Sequence, residues 1–199
     1  MSGLDQYVEN INDAKLAEII QLQKYMGYDL DVMGLDQKTV GERLGINGKA
    51  ACLVTIWMKA YVLEGATLEQ TFEVMENEVK NGRISKDKSY MNDQLMTSEN
   101  LAKSLKGKNY DKSFLQSPWI DGKQVTYNSI DDFRNSNYKY AFIKYSSKPS
   151  FEFHYTLLVN MNGYITEHDP WPGGINSLNA WEKGDVTLES IEPKGWYKR

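Results

Sequence analysis

The chain has 199 residues, which is enough for one domain with a sizeable core. Hydrophobic residues make up 41% and charged residues 25%, as is typical of a soluble globular protein. The net charge of −4 excludes a basic field of the kind that binds nucleic acid. No apolar stretch approaches the roughly 18 residues of a membrane span. We therefore expect a single domain whose partners are neither nucleic acid nor membrane.

The cysteine and histidine content limits the chemistry further. Cys52 is the only cysteine, so no disulfide can form within the chain, and two histidines are too few for a structural zinc site. The N-terminus shows no secretory signal pattern, and no Gly-rich phosphate loop follows a strand. We expect a cytoplasmic protein that needs no metal or other cofactor. The pattern leaves the oligomeric state open.

Helical patterns fill the first two thirds of the chain. Hydrophobic spacing over 3–26 predicts an amphipathic helix with an acidic face, and Asp36 is the expected N-cap of a short helix over 36–44. Residues 50–64 are apolar on nearly every face, which predicts a helix in the middle of the domain. Thr67-Leu-Glu-Gln70 has the capping-box pattern and predicts a helix to about residue 80. Residues 83–128 are less regular, with one short helix expected from 97 or 98 to 105, and Ser129 opens another.

The last third has the texture of antiparallel strands. Aromatic and branched residues predict strands over 138–145, 151–159 and 163–168, with a tight turn at 160–163 between the last two. One or two more strands are expected between 185 and 198. Helices followed by strands predict an α+β fold. The chain then divides into an N-terminal helical extension (1–45), a mainly helical half (46–137) and an antiparallel sheet half (138–199).

Three residues have the spacing and the placement of a thiol active site. A cysteine nucleophile needs its thiolate stabilised, a base beside it and a group that orients the base. Cys52 lies at a helix start, where the helix dipole favours negative charge. His154 lies in a predicted strand, and Asp169 follows the next strand across a hairpin. Closing that hairpin brings Asp169 to the His154 ring, as in a catalytic triad.

Other residues are weaker candidates for the same site. Asn47 is the side-chain candidate for an oxyanion donor, alongside the backbone N–H of Cys52 and, as a second possibility, Lys49. Trp119 and Trp171 are candidates to line a substrate cleft, but for Trp171 the sequence favours the simpler role of closing the edge of the core. If Asp169 faces the site, strand alternation turns His168 away, so we expect His168 at the surface.

These motifs resemble those of the papain-like cysteine peptidase superfamily, and within it the C39-like branch. The resemblance lies in Cys52 at a helix start, in His154-Tyr-Thr-Leu-Leu-Val, and in a next strand that ends in Asp169-Pro-Trp-Pro-Gly-Gly. It implies a papain-like fold and a hydrolase that cleaves a peptide or protein substrate. Catalysis would use Cys52, His154 and Asp169.

Two alternatives share the same residues. The family usually has Asp-Cys-Gly-Pro at the nucleophile and a Gln upstream, whereas this chain has Ala51-Cys-Leu-Val54 and Asn47. The domain would then keep the fold but act as a binding or regulatory module. A transglutaminase-like acyltransferase would use the same triad order and stays open. A lone cysteine also serves in many proteins as a small buried hydrophobic residue.

Overall fold

The computed structural model describes residues 35–63, 66–87, 118–147, 151–171 and 186–194. The helices predicted over 3–26 and from 97 or 98 to 105 lie outside these residues. Within them, helices precede a four-stranded antiparallel sheet, which confirms the α+β class. None of the helices described is both long and apolar enough to cross a membrane.

The helical part begins with α1 (Gln37–Leu44). The Asp36 carboxylate caps it, as predicted, by accepting hydrogen bonds from the backbone N–H groups of Lys38 and Thr39. Gly45 ends the helix with a φ of 64°, a left-handed conformation that favours glycine. A short 3-10 helix (Gly48–Ala50) then leads directly to the next helix. Buried side chains of α1 belong to the main core, so the packed body of the domain includes residues before 46.

Helix α2 (Cys52–Leu63) lies at the centre of the helical part, and the prediction for 50–64 is confirmed. Trp57 is buried and packs edge-on against Phe142 of the sheet, with ring centroids 5.1 Å apart. Helix α3 (Leu68–Lys80) follows. Its capping box is present as predicted, because Thr67 and Gln70 each accept a hydrogen bond from the other's backbone N–H.

A small hairpin and a short helix come before the main sheet. Strands β1 (Trp119–Ile120) and β2 (Lys123–Gln124) pair across a two-residue turn, within the stretch where the polar pattern predicts irregular structure. Helix α4 (Ile130–Arg134) begins after Ser129, whose hydroxyl accepts a hydrogen bond from the Asp132 N–H. The helix start predicted at Ser129 is confirmed.

The main sheet contains β3 (Tyr140–Ser147), β4 (Phe151–Met161), β5 (Tyr164–His168) and β6 (Val186–Lys194). Its strand order is β5-β4-β3-β6 and every neighbouring pair is antiparallel. Asn162 and Gly163, with φ of 54° and 94°, form the tight turn between β4 and β5. The predicted hairpin is therefore confirmed. One or two further strands were expected between residues 185 and 198, and β6 is the strand that the structure describes in this range.

Both faces of the main sheet are covered. Side chains of α1, α2 and α3 pack with Tyr140, Phe142, Leu157 and Val159 on one face. The other face forms a second cluster with Phe133 of α4, and its sheet members are Ala141, Ile143, Tyr145, Leu158 and Ile191. Side chains that point to either face of the sheet can therefore be buried, including those of residues next to the candidate site.

A close backbone contact fixes α1 against the turn that precedes α2. A Cβ atom added to Gly41 would lie 2.4 Å from the Cα of Gly48 and 2.7 Å from its nitrogen. Backbone atoms on both sides cannot move independently, so this glycine sets how closely the two segments approach. The contact positions the polypeptide immediately before Cys52.

We predict that Gly41→Ala destabilises the protein. Helix propensity alone would favour alanine by about 1 kcal/mol. The clash with Gly48 reverses this sign, and we expect a net loss of about 1–3 kcal/mol, the usual cost of overpacking. Urea unfolding measures the difference. Glu42→Ala, at the exposed neighbouring position, is the control and should change stability by about 0.5 kcal/mol or less. A more stable Gly41→Ala protein would contradict the contact.

Candidate active site

Cys52 is the first residue of α2, as the sequence predicts. The residue is 7% exposed and forms no disulfide. The first backbone N–H groups of a helix have no acceptor within the helix and carry partial positive charge. The sulfur therefore lies where negative charge is favoured and where main-chain donors are present.

His154 and Asp169 meet where the pairing of β4 with β5 ends. The last paired residues of the two strands are Leu157 and His168, so both candidate residues lie just beyond the backbone ladder. The Nε2 atom of His154 is 2.9 Å from Oδ1 of Asp169. The predicted hairpin geometry thus brings the carboxylate to the ring.

The His154 ring also forms a hydrogen bond with the Cys52 side chain. Because Nε2 engages Asp169, Nδ1 is the nitrogen left to face the sulfur. Burial opposes the charged ring, but the hydrogen bonds and negative charges of Asp169 and Cys52 outweigh it and raise the pKa of His154 to about 10. A ring held as imidazolium near neutral pH is what a thiolate–imidazolium pair requires.

The Asp169 carboxylate is oriented by its own turn. Its Oδ1 also accepts a hydrogen bond from the Trp171 N–H at 2.9 Å. Pro170, between them, has no N–H of its own, so the turn presents the Trp171 donor to the carboxylate. The carbonyl oxygen of Asp169 accepts a hydrogen bond from Nζ of Lys59 at 3.4 Å. Side chain and backbone of this residue are both held in place.

Asn47 lies in the loop before the nucleophile, where it caps the 3-10 helix. Its Oδ1 accepts a hydrogen bond from the Lys49 N–H, and its Nδ2 donates to the carbonyl oxygen of Asp87 at 3.3 Å. The amide is therefore engaged in shaping the loop. Its oxyanion role, and that of Lys49, stay predictions, and the Cys52 N–H in the first turn of α2 is the main-chain candidate.

Of the two tryptophans predicted to line a cleft, the structure describes the surroundings of Trp171 more fully than those of Trp119. Trp171 is partly buried, and its backbone orients Asp169. Trp119 lies in β1, but its side chain lies outside the described part of the structure. The lining role stays a prediction for both.

The surface position predicted for His168 is wrong. The residue is 6% exposed and stands opposite Leu157, which belongs to the core on the helical side of the sheet. The side chain of His168 does point away from that of Asp169, but this direction is into the core and not toward solvent. Burial, with the positive charge of Lys59 nearby, lowers the pKa of His168 to about 3, so the ring is neutral at physiological pH.

Gln37 supports the site, although no local pattern in the sequence marks it. The residue is 1% exposed, and its Nε2 donates to the carbonyl oxygens of Gly48 at 3.0 Å and Lys49 at 3.3 Å. Its backbone N–H donates to the carbonyl oxygen of Pro170 at 2.7 Å. One residue thus ties the turn before the nucleophile to the turn that orients the carboxylate.

Comparison of the chain with protein-family models, with curated proteins and with solved structures found no match. The resemblance to papain-like peptidases therefore rests on the motifs of the chain itself. The contacts among the three candidate residues are therefore the basis of any functional assignment.

We predict that the two histidine rings titrate far apart. NMR of the ring nitrogens should give a midpoint near 10 for His154 and near 3 for His168, and neither near the usual 6.5. Asp169→Asn removes a negative partner of His154 and should lower its midpoint. The same change leaves the burial of His168 and its neighbour Lys59 in place, so that midpoint should not move. Either ring titrating near 6.5 in the wild type would contradict the geometry.

Buried, neutral His168 should also make the protein sensitive to acid. Its pKa is lowered on folding, so its stabilising contribution is complete above the unfolded value of 6.5 and is lost as the pH falls toward 3. In that window the wild type should lose up to about 1.4 kcal/mol per pH unit more than His168→Gln. Urea unfolding of both proteins across this window measures the difference. Parallel stability curves would contradict the prediction.

Proposed function

We propose that this protein is a papain-like thiol hydrolase of the C39-like branch that cleaves a peptide or related amide bond. The position of the His154 ring carries the proposal. The ring contacts the Cys52 side chain and, at 2.9 Å, the Asp169 carboxylate. A nucleophile, a base and an orienting carboxylate in contact, in this order, are what activates a cysteine.

The placement of these residues on separate elements supports the papain-like fold as part of the proposal. The nucleophile begins a buried helix, and the base and carboxylate come from a hairpin of the antiparallel sheet. Helix and sheet pack on each other through one core, so each holds the other in register. Rigid elements of this kind position reacting groups more accurately than loops.

The first half of the proposed reaction forms an acyl-enzyme. The sulfur of Cys52 attacks the carbonyl carbon, and the C–S bond forms as the carbonyl electron pair moves onto oxygen. The backbone N–H of Cys52 stabilises this oxyanion. The C–N bond then breaks, and His154 gives its proton to the departing amine. A thioester on Cys52 remains, and Asp169 keeps the ring in position.

The second half releases the acid. His154, now neutral, takes a proton from a water molecule as the oxygen attacks the thioester carbon. The C–S bond breaks and the thiolate returns to its pair with the protonated ring. An amine in place of water would give acyl transfer with the same residues, so the acceptor decides between hydrolase and transferase.

A binding or regulatory module is the second candidate. The low exposure of Cys52, at 7%, and its neighbours Ala51 and Leu53 favour it, because a substrate carbonyl must reach the sulfur. In this case the three residues keep their contacts without turnover. Thiol reactivity and peptide cleavage separate the two candidates.

We predict fast, His154-dependent alkylation of Cys52. Because the chain has one cysteine, iodoacetamide labelling followed by mass spectrometry reports this residue alone. A free thiol is only a few per cent ionised near pH 7, so the wild type should react about ten-fold faster than His154→Ala. Unfolded wild-type protein is the reference for a free thiol. Equal rates in the two folded proteins would refute thiolate–imidazolium pairing.

We further predict peptide cleavage that requires both reacting groups. A peptide library analysed by mass spectrometry should show cuts with the wild type and none with Cys52→Ala. His154→Ala should be slower by about 10²–10⁴, the usual contribution of general acid–base catalysis. Added hydroxylamine tests the acyltransferase, which would then form hydroxamates in preference to acids. Fast alkylation without any product from library or acceptor would favour the binding module.

A further inference from the structure

A buried polar cluster lies directly beside the His154–Asp169 pair. Oε1 of Glu167 accepts hydrogen bonds from the Tyr145 hydroxyl at 3.1 Å and from the Thr156 hydroxyl at 2.6 Å. Tyr145 and Thr156 are buried, and Glu167 is partly buried. The cluster joins three neighbouring strands, because its members lie on β3, β4 and β5.

The strand register puts this cluster on the same face as the candidate base. Tyr145 stands directly opposite His154 in the β3–β4 ladder. Thr156 lies two residues after His154 on β4, and Glu167 lies two residues before Asp169 on the neighbouring strand. Residues two apart on a strand share a face. The three-residue cluster is therefore the next layer of side chains beneath the pair.

Backbone pairing does not fix the pair by itself. The β4–β5 ladder ends at Leu157 and His168, one step before Asp169 and three before His154. Trp171 and Lys59 hold Asp169 from its own turn and from α2. The side-chain hydrogen bonds to Glu167 tie β5 to β4 and β3 on the face of His154.

The hydrogen bonds of the cluster are of a kind that can hold the three strands in a fixed arrangement. Burial, followed by the negative charge of Glu167, raises the pKa of Tyr145, so its hydroxyl keeps its proton and donates at every physiological pH. Hydrogen bonds to a charged acceptor are stronger than neutral ones. The surrounding face is otherwise apolar, with Ile143 and Leu158 as members. Three apolar side chains would fill this space without directional bonds.

We infer that Glu167 is a positioning residue for the proposed thiol chemistry, holding Asp169 against the His154 ring through the hydroxyls of Tyr145 and Thr156. This inference rests on the proposed function. It adds a group that touches no substrate and that the triad does not include. Groups that orient metal ligands in a comparable way change activity by about 10- to 100-fold when removed.

The test uses Glu167→Ala and two measurements: iodoacetamide alkylation of Cys52 against pH, and NMR titration of the His154 ring. We expect alkylation near pH 7 to fall by less than the roughly ten-fold loss expected for His154→Ala. The midpoint of the His154 titration should move from near 10 toward 6.5, because Asp169 is no longer held in hydrogen-bonding contact with the ring. Loss of packing alone would leave that midpoint in place.

Two matched variants sharpen the result. Glu167→Gln keeps a carbonyl oxygen that can accept both hydroxyl protons, so most of the rate and of the midpoint should return. Glu189→Ala removes another carboxylate that accepts a hydroxyl hydrogen bond across strands, from Ser146 to β6, away from the pair. It should behave as the wild type. Equal losses in Glu167→Gln and Glu167→Ala would overturn the hydrogen-bonding role.

Folded Glu167→Ala with a wild-type rate and a wild-type midpoint would overturn the inference. If that variant does not fold, as judged by circular dichroism, Thr156→Val removes one of the two bonds at nearly constant volume. It should give an intermediate shift of the His154 midpoint, and no shift would count as refutation. Failure of the proposed function looks different, because wild type and His154→Ala would then alkylate equally. The ring titration still tests Glu167 in that case.

Discussion

The hydrogen bond between the His154 ring and the Asp169 carboxylate is the interaction on which the site depends. Burial favours the neutral form of a histidine ring, and His168, which also has the positive charge of Lys59 nearby, is an example within the same hairpin. His154 is also largely buried, yet its pKa rises, because its ring interacts with the Asp169 carboxylate and with the Cys52 side chain. The two histidines thus differ in their neighbours more than in their burial. Of the two, His154 has the neighbours that favour a protonated ring beside a sulfur.

Helix α2 links both ends of this arrangement. It begins with Cys52, and its Lys59, seven residues later, donates to the carbonyl oxygen of Asp169. Residues seven apart lie about two turns apart on the same side of a helix. A single rigid element therefore positions the nucleophile and also holds the backbone of the carboxylate. Gln37 adds a second connection between the same two regions.

Features encoded by short-range signals could be predicted from the sequence. The Asp36 cap, the Thr67–Gln70 capping box and the Asn162–Gly163 turn each depend on a few adjacent residues with known conformational preferences. The three candidate site residues could be found because a hairpin has simple geometry. The closeness of helix start and hairpin end followed from no local rule, since it depends on packing between the two halves of the chain.

Features that depend on tertiary contacts could not be predicted. The alternation that placed His168 opposite to Asp169 was sound, but the sequence did not show that both faces of the sheet are covered. Gln37 and Glu167 are ordinary polar residues in sequence, and only their burial and their partners give them a role. Polar residues of this kind gain their meaning from neighbours that are distant in the chain.

The length of the two-residue turn at Asn162 and Gly163 determines which side chain of the following strand faces His154. Side chains alternate between faces, so a shift of one residue in the β4–β5 register exchanges the faces of the whole strand. If the turn were one residue longer, His168 would take the place that Asp169 holds beside the His154 ring, and a second imidazole would replace the carboxylate. The identity of the group that meets the base is thus specified at a distance, by the length of a turn that takes no part in the reaction.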